Sequence, residues 1–199
     1  SNNGTVVNAV INQTGLIDRC YRFNDGVSNQ YVTIPSSNDF NFGSGAFSIE
    51  VWVNRDSNNF GRILNKYNET TGDLEFRMFI QNGVLQFFMY TDPSNRMGLA
   101  DNVTITTGSW QQVIITYDGS GGVSGLKMKV DNVTGSFAPV ETGNFTGMPD
   151  TNQQIVLAQQ GNDLTGANRY SGLMDICRFW KGYALSDAEI TTKYNSGNG

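Results

Sequence analysis

Histidine does not occur in this chain, and cysteine occurs only twice in its 199 residues, at Cys20 and Cys177. Without an imidazole there is no Ser-His-Asp relay and no His-ligated zinc. Two cysteines so far apart offer no metal-site spacing. Charge is also scarce: Lys and Arg number 13 against 18 Asp and Glu, a net charge of -5, with no basic cluster. A nucleic-acid backbone asks for dense Lys and Arg, so no nucleic-acid partner is expected. No apolar run approaches membrane-spanning length, and no membrane insertion is expected. The sequence opens at Ser1-Asn2-Asn3 without methionine, so any signal peptide or upstream part lies outside it.

What is present is glycine, at 23 residues, with abundant Asn, Ser and Thr and an aromatic set rich in Phe and Tyr. That is the composition of many short strands joined by polar turns. The length suits one substantial core, and a single domain over 1–199 is expected, with 1–19 as a less regular N-terminal strand or extension. Phe47 to Asn54 alternates most clearly: Phe47, Ile49, Val51 and Val53 on one side, Ser48, Glu50, Trp52 and Asn54 on the other. Asp73 to Ile80 alternates too, with Leu74, Phe76, Met78 and Ile80 expected inward. Asn82-Gly83 then supplies a tight hairpin turn into Val84 to Tyr90. An early hairpin is expected between Tyr21–Phe23 and Gln30–Ile34 across Asn24-Asp25-Gly26, while 136–152 reads as mostly loop. Near the end, Gly172 to Trp180 forms a strand, and Ser186-Asp187-Ala188-Glu189 is a capping box opening one short helix. The whole is an all-β class: a two-sheet antiparallel sandwich with one short C-terminal helix.

Five stretches, in order, resemble the laminin G-like jelly rolls of the concanavalin A-like lectin/glucanase superfamily. They are Phe23-Asn24-Asp25-Gly26 with Gln30-Tyr31-Val32; Phe47-Ser48-Ile49-Glu50-Val51-Trp52-Val53; Gly108-Ser109-Trp110-Gln111-Gln112-Val113 with Thr116-Tyr117-Asp118-Gly119; Lys129-Val130-Asp131; and Ser171 to Trp180 with Ala184 to Ile190. The resemblance covers about residues 20 to 194. It implies two antiparallel sheets, one concave, with the first and last strands adjacent. That adjacency would bring Cys20 and Cys177 together, and a disulfide there would stabilise by about 5 kcal/mol on the chain-entropy model. Two free buried thiols are the alternative.

The resemblance also implies a structural Ca2+ where those strands meet, held by Asp25, the carbonyl of Gly26 and Asp175, since hard oxygen ligands suit that ion. The alternative is that Asp25 only shapes its turn and Asp175 pairs with Arg22 or Arg178. Retaining glycosidases need two carboxylates about 5 Å apart, and relatives that carry them use Glu-x-Asp-x-x-Glu on one strand. Here Asp73-x-Glu75 lacks the third acid and Glu50 stands alone, so no enzyme is expected. A sugar platform needs aromatic faces and planar polar groups. Candidates are Glu50 and Trp52 on one strand, Glu75 and Arg77 on a second, and Gln86, Phe88 and Tyr90 on a third, unless Trp52 and Phe88 are core. Tyr67, Arg96, Asp163 and Arg169 are an alternative loop site. Six Asn-x-Ser/Thr sequons, at Asn3, Asn12, Asn68, Asn102, Asn132 and Asn144, are close to what the composition alone gives.

The expected function is a non-catalytic glycan-recognition module on a secreted, cell-surface or virion-surface protein, part of a larger multi-domain protein or oligomeric assembly. The alternative is a structural, adhesive or decoration module of a phage, virus or bacterial surface assembly.

Overall fold

The computed structural model describes residues 3–24, 29–135, 137–160 and 169–199, with the backbone alone for 101–103. In chain order the strands are β1 (Thr5–Val7), β2 (Val10–Thr14), β3 (Arg19–Phe23), β4 (Tyr31–Ile34), β5 (Phe47–Arg55), β6 (Gly61–Asn68), β7 (Asp73–Gln81) and β8 (Val84–Asp92). They continue as β9 (Asn95–Thr104), β10 (Gln111–Tyr117), β11 (Leu126–Val130), β12 (Val133–Thr134), β13 (Phe137–Thr142), β14 (Ile155–Leu157) and β15 (Gly172–Lys181), before helix α1 (Asp187–Tyr194). Among the described residues they make two antiparallel sheets. One has eight strands, ordered β1-β4-β14-β6-β7-β8-β9-β13; the other has seven, ordered β12-β11-β10-β5-β15-β3-β2.

Alternation writes the core. Ile49, Val51 and Val53 of β5 and Val113 and Ile115 of β10 meet Phe76, Met78 and Ile80 of β7 and Leu85, Phe87 and Met89 of β8, all essentially without solvent exposure. Tight turns hold the register. Asn82 and Gly83 both take positive φ (52° and 81°) between β7 and β8, and Asp131 and Asn132 do so (52° and 62°) between β11 and β12. Two consecutive left-handed residues are what a two-residue hairpin of the right twist requires, and Asn and Asp tolerate that region best after glycine.

Three expectations are corrected. The early hairpin does not form: β3 pairs with β15 and β2 in the seven-stranded sheet, while β4 pairs with β1 and β14 in the other. The chain therefore changes sheets between them. The stretch read as loop contains β13, which pairs with β9 along its length. Leu74 does not face inward, because the β6–β7 register shifts between Lys66 and Tyr67 and exchanges the faces at that end of the strands.

The closing strand lies between β5 and β3. Its alternation is reset by a bulge between Asp175 and Cys177, where Ile176 sits at φ 45°. A β-branched residue there is strained. The extra residue lets Met174 and Cys177, three apart, both pack on the core.

Helix α1 begins as its sequence indicates: Ser186 Oγ accepts from the Glu189 amide and the Glu189 carboxylate accepts from the Ser186 amide. Ile190 and Leu185 pack with Ile114 on the outer face of the seven-stranded sheet. Lys129 bonds Asp187 at 2.8 Å, tying the first helical turn to β11. Ser186→Ala is expected to cost about 1 kcal/mol, lowering the Tm by about 2–4 °C for a chain of this size. Thermal melts by circular dichroism check this; an unchanged Tm would mean the cap contributes nothing.

Candidate functional site

The seven platform candidates do not share one surface. Glu50 and Trp52 lie on β5 in the seven-stranded sheet; Glu75, Arg77, Gln86, Phe88 and Tyr90 lie on β7 and β8 in the eight-stranded sheet. Trp52 and Glu50 do point away from the core, but helix α1 covers them. The Trp52 ring stacks on Tyr194 with centroids 6.0 Å apart and planes within 3°. Both Trp52 and Glu50 are fully buried. The Glu50 carboxylate accepts from Trp52 Nε1 (3.2 Å), Gln112 Nε2 (2.8 Å) and Arg178 Nη1 (3.2 Å). This corner joins helix to sheet and presents nothing to a ligand.

Glu75 also leaves the platform. The register shift that turns Leu74 outward turns Glu75 inward, where it is fully buried against Lys66 Nζ at 2.8 Å. Asn41 Oδ1 accepts from the same ammonium, and the Thr151 hydroxyl and amide donate to Glu75 at 2.6 and 3.0 Å. Every partner a buried ion pair needs is present.

Arg77, Gln86, Phe88 and Tyr90 do come together, on the face of the eight-stranded sheet turned away from the core. Three partners join them that the strand-by-strand reading missed: Arg62, Phe60 and Phe79. Tyr67 and Arg96, assigned to loops from the sequence, are on β6 and β9 and belong to the same face. Phe79 was within reach of the sequence, since it follows Arg77 by two residues in the same alternation. Across the strands, rings and guanidiniums face one another: Arg62 opposite Phe79, Arg77 opposite Phe88, and Tyr90 opposite Arg96.

The stack is tight. Arg62 lies 5.1 Å from the Phe79 ring centroid and 5.2 Å from Phe60. Arg77 lies 5.1 Å from both Tyr67 and Phe79, and Arg96 lies 5.2 Å from Phe88. Gly98 makes room, because a Cβ there would meet the Phe88 ring at 2.5 Å. Burial, then the like charge of Arg77, pushes the Arg62 guanidinium down to about 10, so it stays protonated at neutral pH. Burial raises the Tyr67 and Tyr90 phenols, opposed in each case by Arg77. The rim at Phe60, Gln86, Arg96, Ala100 and Val140 is partly exposed.

Two further candidates concern the clasp of β3 and β15. Asp25 and Gly26 lie outside the described residues, as does Asp163 of the loop site; the backbone of Arg169 lies against Gly61 at the start of β6. The Asp175 carboxylate accepts three backbone amides, those of Leu16 (2.9 Å), Ile17 (3.0 Å) and Ile176 (2.8 Å). Neither Arg22 nor Arg178 pairs with it: Arg22 bridges to Asp56 and Arg178 to Glu50. Cys20 and Cys177 are free thiols rather than a disulfide. The β3–β15 pairing ends at Met174 opposite Tyr21, which sets Cys20 level with Asp175, and the bulge at Ile176 carries Cys177 a step further along. Both line one cavity of about 290 Å³ with Val6, Phe23, Val32 and Met174. Burial pushes the Cys177 thiol up to about 12, helped by Glu50, and also raises Cys20, whose Sγ donates to the Thr14 carbonyl.

A two-sheet jelly-roll sandwich with one outer face covered by its terminal helix defines the structural class. Within it, the chain belongs to the concanavalin A-like lectin/glucanases superfamily, whose laminin G model matches residues 25–191. No functionally curated protein matches it. Similar solved structures include the binding domain of Paraclostridial Mosquitocidal Protein 1, at TM-score 0.76 and 16% identity, covering 98% of this chain and 48% of that one. The binding domain of botulinum neurotoxin serotype G follows at 0.73 and 15%, covering 98% and 46%. That of serotype D stands at 0.72 and 13%, covering 98% and 47%. This chain thus spans about half the length of those domains. Among the described residues no helix is long and apolar enough to cross a membrane.

Trp52→Ala is expected to lower stability by about 3–5 kcal/mol, the usual range for removing a buried Trp, with no effect on binding at the β7–β8 face. Urea unfolding beside a binding isotherm checks both; weaker ligand affinity in a variant that remains folded would return Trp52 to the site.

Proposed function

We propose that this chain is a non-catalytic recognition module of a surface or secreted protein. It takes a glycan on the outer face of the eight-stranded sheet, along the partly exposed rim of Phe60, Arg77, Gln86 and Arg96, which lies over the buried rings of Phe79, Phe88 and Tyr90 and the buried guanidinium of Arg62. One observation carries the reading: planar aromatic and planar hydrogen-bonding groups alternate on a single sheet face, the combination a sugar's C–H side and hydroxyls require. The half-open rim at Phe60 and Gln86 gives a ligand its approach.

The two glutamates nearest to a hydrolase role argue against one. Glu50 and Glu75 belong to different sheets, and each is buried and fully engaged by its own partners. They do not span a common space as the carboxylate pair of glycoside hydrolysis must. The binding domains of larger toxins that share the fold support a module within a longer protein, at identities that speak to fold alone. The structural or adhesive alternative rests on Val10, Ile11, Ile17 and Tyr21, apolar and exposed around β2 and β3. Light scattering separates the two, since an adhesive or coat module should self-associate and a recognition module should not.

A glycan array with the chain as probe is expected to show binding, and Phe88→Ala to weaken it about tenfold, the scale of one lost ring contact of about 1.4 kcal/mol. Full affinity in Phe88→Ala would place the ligand elsewhere. Calcium at Asp25, Gly26 and Asp175 remains part of the proposal as a structural ion only, since Asp175 lies in the other sheet and already accepts three amides. A Tm raised by millimolar Ca2+ over EDTA supports it through linkage; superimposable melts remove it.

A further inference from the structure

The arginine stack leaves hydrogen-bonding capacity unused. Nε and Nη1 of Arg62, Nε of Arg77 and Nε of Arg96 are all buried, and among the described residues none has a partner. The rings satisfy the guanidinium faces through cation–π contact, but a ring face gives nothing to N–H groups directed along the guanidinium plane. Glu69 is the one carboxylate within ion-pair distance among the described residues, 3.6 Å from Arg77 and itself half exposed. Its oxygens are already shared: Oε1 accepts from the Tyr67 hydroxyl at 2.7 Å and Oε2 from Gln160 at 3.0 Å.

Among the described residues, three cations therefore sit on one sheet face with a single, partly engaged counter-charge within ion-pair distance. Other buried cations of the chain are given acceptors: Arg55 donates to the Ile105 and Asn59 carbonyls. Lys66, in the same sheet as the stack, is buried with a carboxylate and an amide oxygen, and the chain as a whole carries a net charge of -5. Buried charge without compensation is costly. A guanidinium is the cation suited to stacking on rings while keeping its in-plane fork for an oxyanion.

We infer that a counter-charge comes with the ligand: the glycan bound on this face is acidic, bearing a carboxylate or a sulfate ester that the partly exposed Arg77 and Arg96 guanidiniums receive, with Arg62 buried behind them. The inference rests on the glycan reading and narrows it to a substrate class. Arg96, partly exposed at the rim, receives the oxyanion first. Arg77, between four rings, sets its orientation.

The test uses the full 199-residue chain and three kinds of probe: a uronic-acid oligosaccharide, a sulfated oligosaccharide and the neutral parent of each. Calorimetry at about 50 mM and about 500 mM NaCl is expected to give at least roughly tenfold tighter binding of an acidic probe than of its neutral parent at low salt. That ratio should shrink at high salt through screening. Whichever acidic probe binds identifies carboxylate or sulfate. Arg96→Gln is expected to remove the tenfold preference, weakening the acidic probe at least roughly tenfold more than its neutral parent. Arg77→Lys, which keeps the charge but loses the planar fork, should reduce the preference at least threefold with the fold intact by near-UV dichroism.

Equal affinity for acidic and neutral probes would overturn the inference while leaving the glycan reading standing. Absence of binding to every probe would overturn both. A preference that survives Arg96→Gln and Arg77→Lys in folded protein would mean the oxyanion is received elsewhere, and the inference fails.

Discussion

A two-sheet sandwich has two outer faces, and among the described residues one α-helix is available to cover them. That constraint decides how each face is finished. Helix α1 docks on the seven-stranded sheet through Leu185, Ile190 and Tyr194, so Trp52 and Glu50 become interior groups. Among the described residues the eight-stranded sheet has no helix on its outer face, which is lined by its own side chains. The lining is largely long flat groups laid against one another, aromatic rings and guanidiniums with Leu74 at one end. Such a surface is dry without being apolar, and this is what makes it a candidate for recognition rather than a second core.

The same sheet buries positive charge in two different ways. Lys66 is neutralised in place, its ammonium enclosed by Glu75 and Asn41. The arginines are held by ring faces instead, which stabilise charge without removing it. An ammonium there would keep the charge but lose the flat stacking contact, since it is strongly hydrated and has no planar side. The contrast separates a structural pair from a poised one without reference to any ligand.

Local features of the fold were legible in the sequence, and tertiary ones were not. The capping box at Ser186 and Glu189 and the turns at Asn82-Gly83 and Asp131-Asn132 are set by neighbours in the chain, and all three form. Strand β9 was missed because Arg96, Gly98 and Ala100 on its outer side carry no apolar alternation. Edge strand β13 was missed because Pro139 interrupts its pattern, as edge strands allow. The shift at Lys66 arises in the pairing of the consecutive strands β6 and β7 and the bulge at Ile176 in the pairing of β15 with distant β5, and each reverses the faces beyond it. So Glu75 was misplaced while Arg77, two residues away, was placed correctly. Half of the candidate face was visible as alternation on β7 and β8. Its other half needed strands β6 and β9 beside them, and the exclusion of Trp52 needed the helix above it.

The pairing of β15 between β5 and β3 has a consequence in time as well as in space. Asp175 accepts the amides of Leu16 and Ile17 from 159 and 158 residues away. Until β15 leaves the ribosome, β2 and β3 have no neighbour to join them to β5. The N-terminal strands are made first and must be among the last to settle. Through nearly all of synthesis the β2–β3 pair waits for the strand that joins it to the sheet, and Cys20 and Phe23, buried in the finished fold, are uncovered until that strand arrives.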